Sequence, residues 1–133
     1  MTNRPFSRLL GIDYGSKRVG VAVSDPQGQF AMPVSVIVNT PLLIQEIMKL
    51  AKEYETKEIV LGESKNYHNE ANTIMVRILE FKAEMEKGGF TVHFESEFMS
   101  SMAAESIQGK NDLSDASAAA IILQRYLDKV HTD

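Results

Sequence analysis

The stretch Leu10-Gly11-Ile12-Asp13-Tyr14-Gly15-Ser16-Lys17-Arg18-Val19-Gly20-Val21-Ala22-Val23-Ser24-Asp25 decides how this chain folds. It opens as a short apolar run that ends at an acid, Asp13. Tyr14 to Lys17 is turn-like, with Gly15 and Ser16 at its centre. Val19, Val21 and Val23 then alternate with Gly20, Ala22 and Ser24, the two-residue period of a strand. Asp25-Pro26-Gln27-Gly28 is a second turn, and Met32 to Val38 is a third, β-branched strand. Three strands joined by short turns make an antiparallel meander.

Downstream the period changes. Thr40-Pro41 reads as an N-cap followed by proline at the first helical position. Leu43, Ile47, Leu50, Ala51 and Tyr54 follow at helical spacing. Ile59-Val60-Leu61-Gly62 predicts a short buried strand. A second helix is predicted from about Glu70 to Lys87, with Ile74, Ile78, Phe81 and Met85 on one face and Gly88-Gly89 as its stop. Phe90 to Phe94 predicts a fifth strand, and Met99 to Ile107 a short helix. Ser114 is expected to cap the last helix, striped by Ala116, Ala119, Ala120, Leu123, Leu127 and Val130. This order predicts an α/β fold in one domain spanning residues 1–133. Its five-stranded mixed sheet joins the antiparallel meander to two parallel strands, flanked by helices. The C-terminal ends of the parallel strands form the usual site edge.

Composition narrows the function. Apolar residues make up 44% and charged residues 24%, as in ordinary globular proteins. The chain has no cysteine, which removes disulfides, thiolate zinc sites and cysteine nucleophiles together. No apolar run is long enough to cross a membrane, and Met1 to Phe6 lacks a signal peptide's apolar core. A soluble, cytoplasmic protein is expected. The net charge of −4 is unevenly spread. Arg4, Arg8, Lys17 and Arg18 face only Asp13 within residues 1–20, whereas residues 91–115 carry Glu95, Glu97, Glu105, Asp112 and Asp115 against Lys110 alone. Such an acidic excess is either a solvated face or the oxygen-rich surroundings that hard divalent cations need.

Three acids stand where elements end or begin. Asp13 ends the first strand, Glu97 lies just past the fifth, and Asp115 opens the last helix. Converging carboxylates repel unless cations neutralise them. Two Mg²⁺ or Mn²⁺ ions about 4 Å apart would activate water and stabilise the leaving oxygen of a phosphodiester. Each acid also has a plain structural role open to it: Asp13 in its turn, Glu97 as a surface charge, Asp115 at a helix N-terminus. His93 alternates with Val92 and Phe94, so it is expected to face solvent. His68 sits in a polar loop, and Ser100 and Ser101 are expected to cap a helix.

The opening string closely resembles the start of the YqgF family, pre-16S rRNA nucleases also described as Holliday junction resolvase-like. Asp115-Ala116-Ser117-Ala118-Ala119-Ala120-Ile121-Ile122-Leu123-Gln124-Arg125-Tyr126-Leu127 resembles the family's closing helix. Gly62 and Asn66 fit its Gly-Leu-Pro-x-Asn segment, and Glu97 and Ser101 its Asp-Glu-Arg-Leu-Thr-Ser segment. The likeness spans roughly residues 8–128. It implies a ribonuclease H-like fold and phosphodiester cleavage dependent on Mg²⁺ or Mn²⁺, with two ions bound. By position it makes Asp13, Glu97 and Asp115 the catalytic, metal-binding acids. Lys17, Arg18, Lys65 and Asn66 are then candidate substrate contacts. The implied partner is nucleic acid, a 16S rRNA precursor or its ribosomal precursor particle ahead of a DNA junction, with no membrane.

The chain departs from the family pattern at Ser64 for proline, Ser96 for aspartate and Phe98 for arginine. Its loop before the last helix, Gln108-Gly109-Lys110-Asn111-Asp112, holds one cation only. These changes remove phosphate contacts and leave the metal ligands. Two other functions compete. An actin-like phosphotransferase would need a second phosphate loop, which the chain lacks. A noncatalytic binding module that keeps the fold would not need the three acids.

Overall fold

The computed structural model describes residues 8–63, 73–96 and 113–130. Strands β1 (Leu10–Tyr14), β2 (Arg18–Ser24) and β3 (Ala31–Val38) form the expected antiparallel meander. Strands β4 (Glu58–Glu63) and β5 (Thr91–Ser96) run parallel to β1 on its other side, giving the order β3-β2-β1-β4-β5. Helices α1 (Leu43–Glu53), α2 (Thr73–Lys87) and α3 (Leu113–Val130) flank the sheet. The short helix expected over 99–107 lies outside the described residues, as do His68, Phe98, Ser100 and Ser101.

The two-residue strand period divides the interior into two cores. Leu10, Ile12, Val19, Val21, Val23, Ile59 and Leu61 pack under α1 and α2 with Leu43, Ile47, Ile78, Phe81 and Met85. Leu9, Ala22 and Val60 point the other way and pack against Ala119, Ile122, Leu123 and Leu127 of α3. The odd positions of β1 therefore face α3. Ser24, fully buried, continues the meander below β1: its Oγ accepts the Leu9 N–H at 2.9 Å.

Three expectations shift. Helix α1 begins at Leu43, not at Pro41. The Leu42 and Leu43 N–H groups bond to the Thr40 hydroxyl and carbonyl at 3.1 and 2.9 Å, closing a turn before the helical ladder starts with Glu46 N to Leu42 O. Helix α3 starts at Leu113, so Ser114 lies inside it. Its buried stripe takes in Ala118 and Ile122 and leaves Val130 exposed.

Two helix ends share one motif. Phe90 N bonds to Met85 O and Gly89 N to Glu86 O, with Gly89 at φ 92°. This pairing satisfies the last carbonyls of a helix and needs a left-handed residue, here the expected glycine. Helix α1 ends the same way, Thr56 N to Ala51 O and Glu55 N to Lys52 O, but puts Glu55 at φ 58°.

In the β2–β3 turn, Asp25 Oδ1 accepts the Phe30 and Gln29 N–H groups at 3.0 and 2.7 Å. These bonds, Phe30's above all, hold the Asp25 carboxyl below its ordinary 3.8. A carboxyl more acidic when folded contributes fully above the unfolded value, and the contribution vanishes as pH falls through the lower, folded one. Asp25→Asn is therefore expected to flatten the stability curve below about pH 4. Acid unfolding followed by circular dichroism checks this; parallel curves for parent and variant would exclude the bonds as a source of acid sensitivity.

Candidate active site

The central strand carries Asp13 on its α3 side, half-buried and next to the strand's C-terminal residue, Tyr14. What brings α3 to that strand is Gly11. A Cβ placed there would lie 2.7 Å from Leu123 Cβ and 2.8 Å from the Ala119 carbonyl oxygen, so helix and strand touch backbone to backbone. Gln124 fixes the helix's direction. Its Oε1 accepts the Ala31 N–H at 2.9 Å and its Nε2 donates to Gln29 O at 2.8 Å. Ala31 pairs with Ser24, at the sheet edge opposite Tyr14. The N-terminal turn of α3 therefore points toward the edge at which β1 ends. From the crossing, Asp13 lies about 7 Å along the strand, and Asp115 one turn, about 6 Å, up the helix from Ala119. The two positions fall on the same side of the crossing.

Lys17 and Arg18 stand exposed in and beside the β1–β2 turn, at that same edge. Of Asp115 only the helical backbone is described, and Lys65, Asn66 and Glu97 lie outside the described residues. Among the described residues, no three acidic or histidine side chains gather where they could hold a metal ion. The structure thus brings Asp13 and the backbone of Asp115 to one side of the sheet, with the Lys17–Arg18 turn beside them.

Glu95 is an acid whose surroundings the sequence did not reveal. It pairs across Gly62 with the row of Asp13, and its carboxylate is only 3% exposed. Lys129 Nζ stands 2.8 Å from its Oε1, too poorly aligned for a hydrogen bond, and Arg125 Nε 3.5 Å from its Oε2. Part of the acidic excess over residues 91–115 is therefore a buried carboxylate paired with two partly exposed cations. His93, expected to face solvent, is half-buried: its ring stacks on Tyr126 at 5.0 Å, and its Nε2 lies 3.2 Å from Glu58 Oε2. Helix α3 covers that face of β5, which sequence alternation cannot reveal. Burial first, and then the Glu58 carboxylate, push the Tyr126 phenol above its usual range.

The cluster predicts an asymmetry. Replacing both Arg125 and Lys129 by methionine leaves a buried carboxylate unpaired and is expected to cost about 3–5 kcal/mol. Glu95→Gln leaves two cations already 44% and 64% exposed, and should cost under about 1 kcal/mol. Urea unfolding measures both; equal costs would mean that pairing is not what holds Glu95 inside.

A mixed sheet in the order β3-β2-β1-β4-β5, with an acid near the end of its central strand and a long helix crossing that strand, defines a ribonuclease H-like protein. Thermus thermophilus RuvC in complex with a Holliday junction substrate shares the fold at a TM-score of 0.65 and 15% identity, over 95% of this chain and 96% of that one. Fowlpox virus resolvase does so at 0.58 and 12%, over 94% and 99%. The chain belongs to the RuvX family, also called YqgF, whose description is Holliday junction resolvase and whose model matches residues 7–129. Curated relatives carry the name "Putative pre-16S rRNA nuclease". That of Lactobacillus delbrueckii subsp. bulgaricus is 35% identical over 91% of this chain and 96% of its own length. Those of a Sulfurihydrogenibium species and Clostridium perfringens are 33% and 34% identical over 94% and 92% of this chain, and 92% and 98% of their own.

Proposed function

We propose that this chain is a cytoplasmic, divalent-metal-dependent nuclease that hydrolyses a phosphodiester of the 16S rRNA precursor during 5′-end processing. Support comes first from the nuclease name shared by relatives about a third identical to it along nearly the whole chain. Asp13, Glu97 and Asp115 are its catalytic, metal-binding acids in this reading. Asp13 and the first turn of α3 lie on the same side of the helix–strand crossing. Odd positions of β5, His93 and Glu95, face α3.

Three carboxylates and no thiol form an all-oxygen donor set, which fits hard ions such as Mg²⁺ or Mn²⁺. When bound, two such ions supply an activated water and charge stabilisation at the leaving oxygen. The chain's own part is to hold its carboxylates on a rigid strand and helix. Lys17 and Arg18 meet phosphates of the RNA beside the scissile bond, with Lys65 and Asn66 contributing from the segment after β4. The RNA reaches this chain free or as part of a ribosomal precursor particle.

The test is cleavage of a 16S precursor RNA and of a four-way DNA junction by the purified full chain. Activity on the RNA should vanish with chelator and return with Mg²⁺ or Mn²⁺. Chelator-insensitive cleavage would overturn the metal mechanism, and faster cleavage of the junction would overturn the RNA assignment.

A further inference from the structure

The β1–β2 turn is tight. At Gly15 an added Cβ would sit 2.5 Å from the Arg18 carbonyl oxygen, so the turn closes on itself with no room for a side chain there. Its restraint comes from another strand. The Asn39 backbone N–H donates to Lys17 O at 2.9 Å, extending the β2–β3 ladder one residue past the Arg18–Val38 pair. The Asn39 side chain reaches further, its Nδ2 donating to Gly15 O at 2.8 Å. One residue thus grips both arms of the turn, the arm leaving β1 and the arm entering β2. Asn39 is itself firmly seated, because the next residue, Thr40, closes the turn that starts α1 through its hydroxyl and carbonyl.

We infer that Asn39 is a positioning residue for substrate. By clamping Gly15 O and Lys17 O, it fixes the turn that sets Lys17 and Arg18 at the edge carrying Asp13, where they meet phosphates of the RNA strand. Exposed lysine and arginine side chains are costly to order. A turn of fixed shape leaves only that side-chain cost to be met on binding, whereas a loose turn would add the cost of ordering its backbone. Asn39 touches neither the RNA nor the reacting atoms, and acts only through the pair. The inference rests on the proposed role of Lys17 and Arg18.

The experiment measures binding of the full chain to a fluorescein-labelled single-stranded RNA across a salt titration. Four proteins are compared with the parent: Asn39→Leu, which keeps the size and loses the amide; Asn39→Ala; the pair Lys17→Ala with Arg18→Ala; and that pair combined with Asn39→Leu. Thermal melts establish that each is folded at the assay temperature. The pair should weaken binding and flatten the slope of log K against log salt by about 0.7 for each phosphate that is no longer neutralised. Asn39→Leu and Asn39→Ala should each weaken binding about three- to tenfold and flatten the slope by about 0.7, the equivalent of one phosphate. The combined variant should bind no more weakly than the pair alone, the non-additivity expected of residues acting through one another. An unchanged slope in both Asn39 variants, or an effect that adds fully to that of the pair, would overturn the inference. A pair variant with the parent's slope would instead overturn the role of Lys17 and Arg18 themselves, and the inference with it.

Discussion

Asp13→Asn is expected to leave a protein that folds and melts like its parent, or slightly above it, and that cleaves precursor RNA at least about 100-fold more slowly. The lower bound comes from metal sites in general, where loss of a mere outer-shell partner already costs about 10- to 100-fold. Asparagine matches aspartate in shape, and the half-buried position on β1 tolerates it sterically. What changes is one negative charge, and one acceptor oxygen becomes an N–H donor. In the proposed site that charge would hold the ion when metal is bound and would be repelled by the other two acids when it is not, so its removal should relieve the folded state. Cleavage rates at saturating Mg²⁺, with melting curves in chelator and in metal, separate the two effects. An Asp13→Asn protein as active as its parent would end the proposed mechanism.

Gly11→Val is expected to be among the most damaging single changes to stability. The added Cβ meets Leu123 Cβ at 2.7 Å and the Ala119 carbonyl oxygen at 2.8 Å. Neither obstacle is the far end of a flexible side chain; one is backbone and the other is fixed to it, so α3 itself must move off the sheet. Overpacking of this kind costs about 1–3 kcal/mol or more, and valine's branches place it at the upper end. A drop in Tm of roughly 10 °C follows for a domain of this size. Activity should fall further than stability explains, because the displaced helix carries Asp115. Gly11→Ala should show the same pattern at a smaller amplitude. A Gly11→Ala protein with the parent's Tm would mean that helix and strand pack more loosely than their geometry indicates.

Local pattern was enough for most of the architecture. Alternation in Val19 to Ser24 and the apolar stripes of Leu43 to Ala51 and Ile78 to Met85 record which side of each element is buried, and burial is what selects those residues. The same holds for the stop at Gly88-Gly89, since a left-handed backbone favours glycine. Element ends were less legible where polar groups had two possible partners. Thr40 could cap a helix or close a turn, and in the structure its hydroxyl and carbonyl close the turn.

By itself, then, the sequence determined the five strands, their mixed pairing, the family, and Asp13 as the acid at the end of the central strand. These follow from short-range periodicity and from a motif held in one continuous stretch. Tertiary structure decided the rest. Gly11 is one small residue in a strand until α3 crosses it. Glu95 reads as surface charge until Arg125 and Lys129, some thirty residues later, enclose it. Asn39 carries no pattern of its own in the sequence, and only β3 sets it beside a turn formed more than twenty residues earlier. Each of these roles belongs to a meeting of segments distant in the chain, and such a meeting leaves no period in either segment.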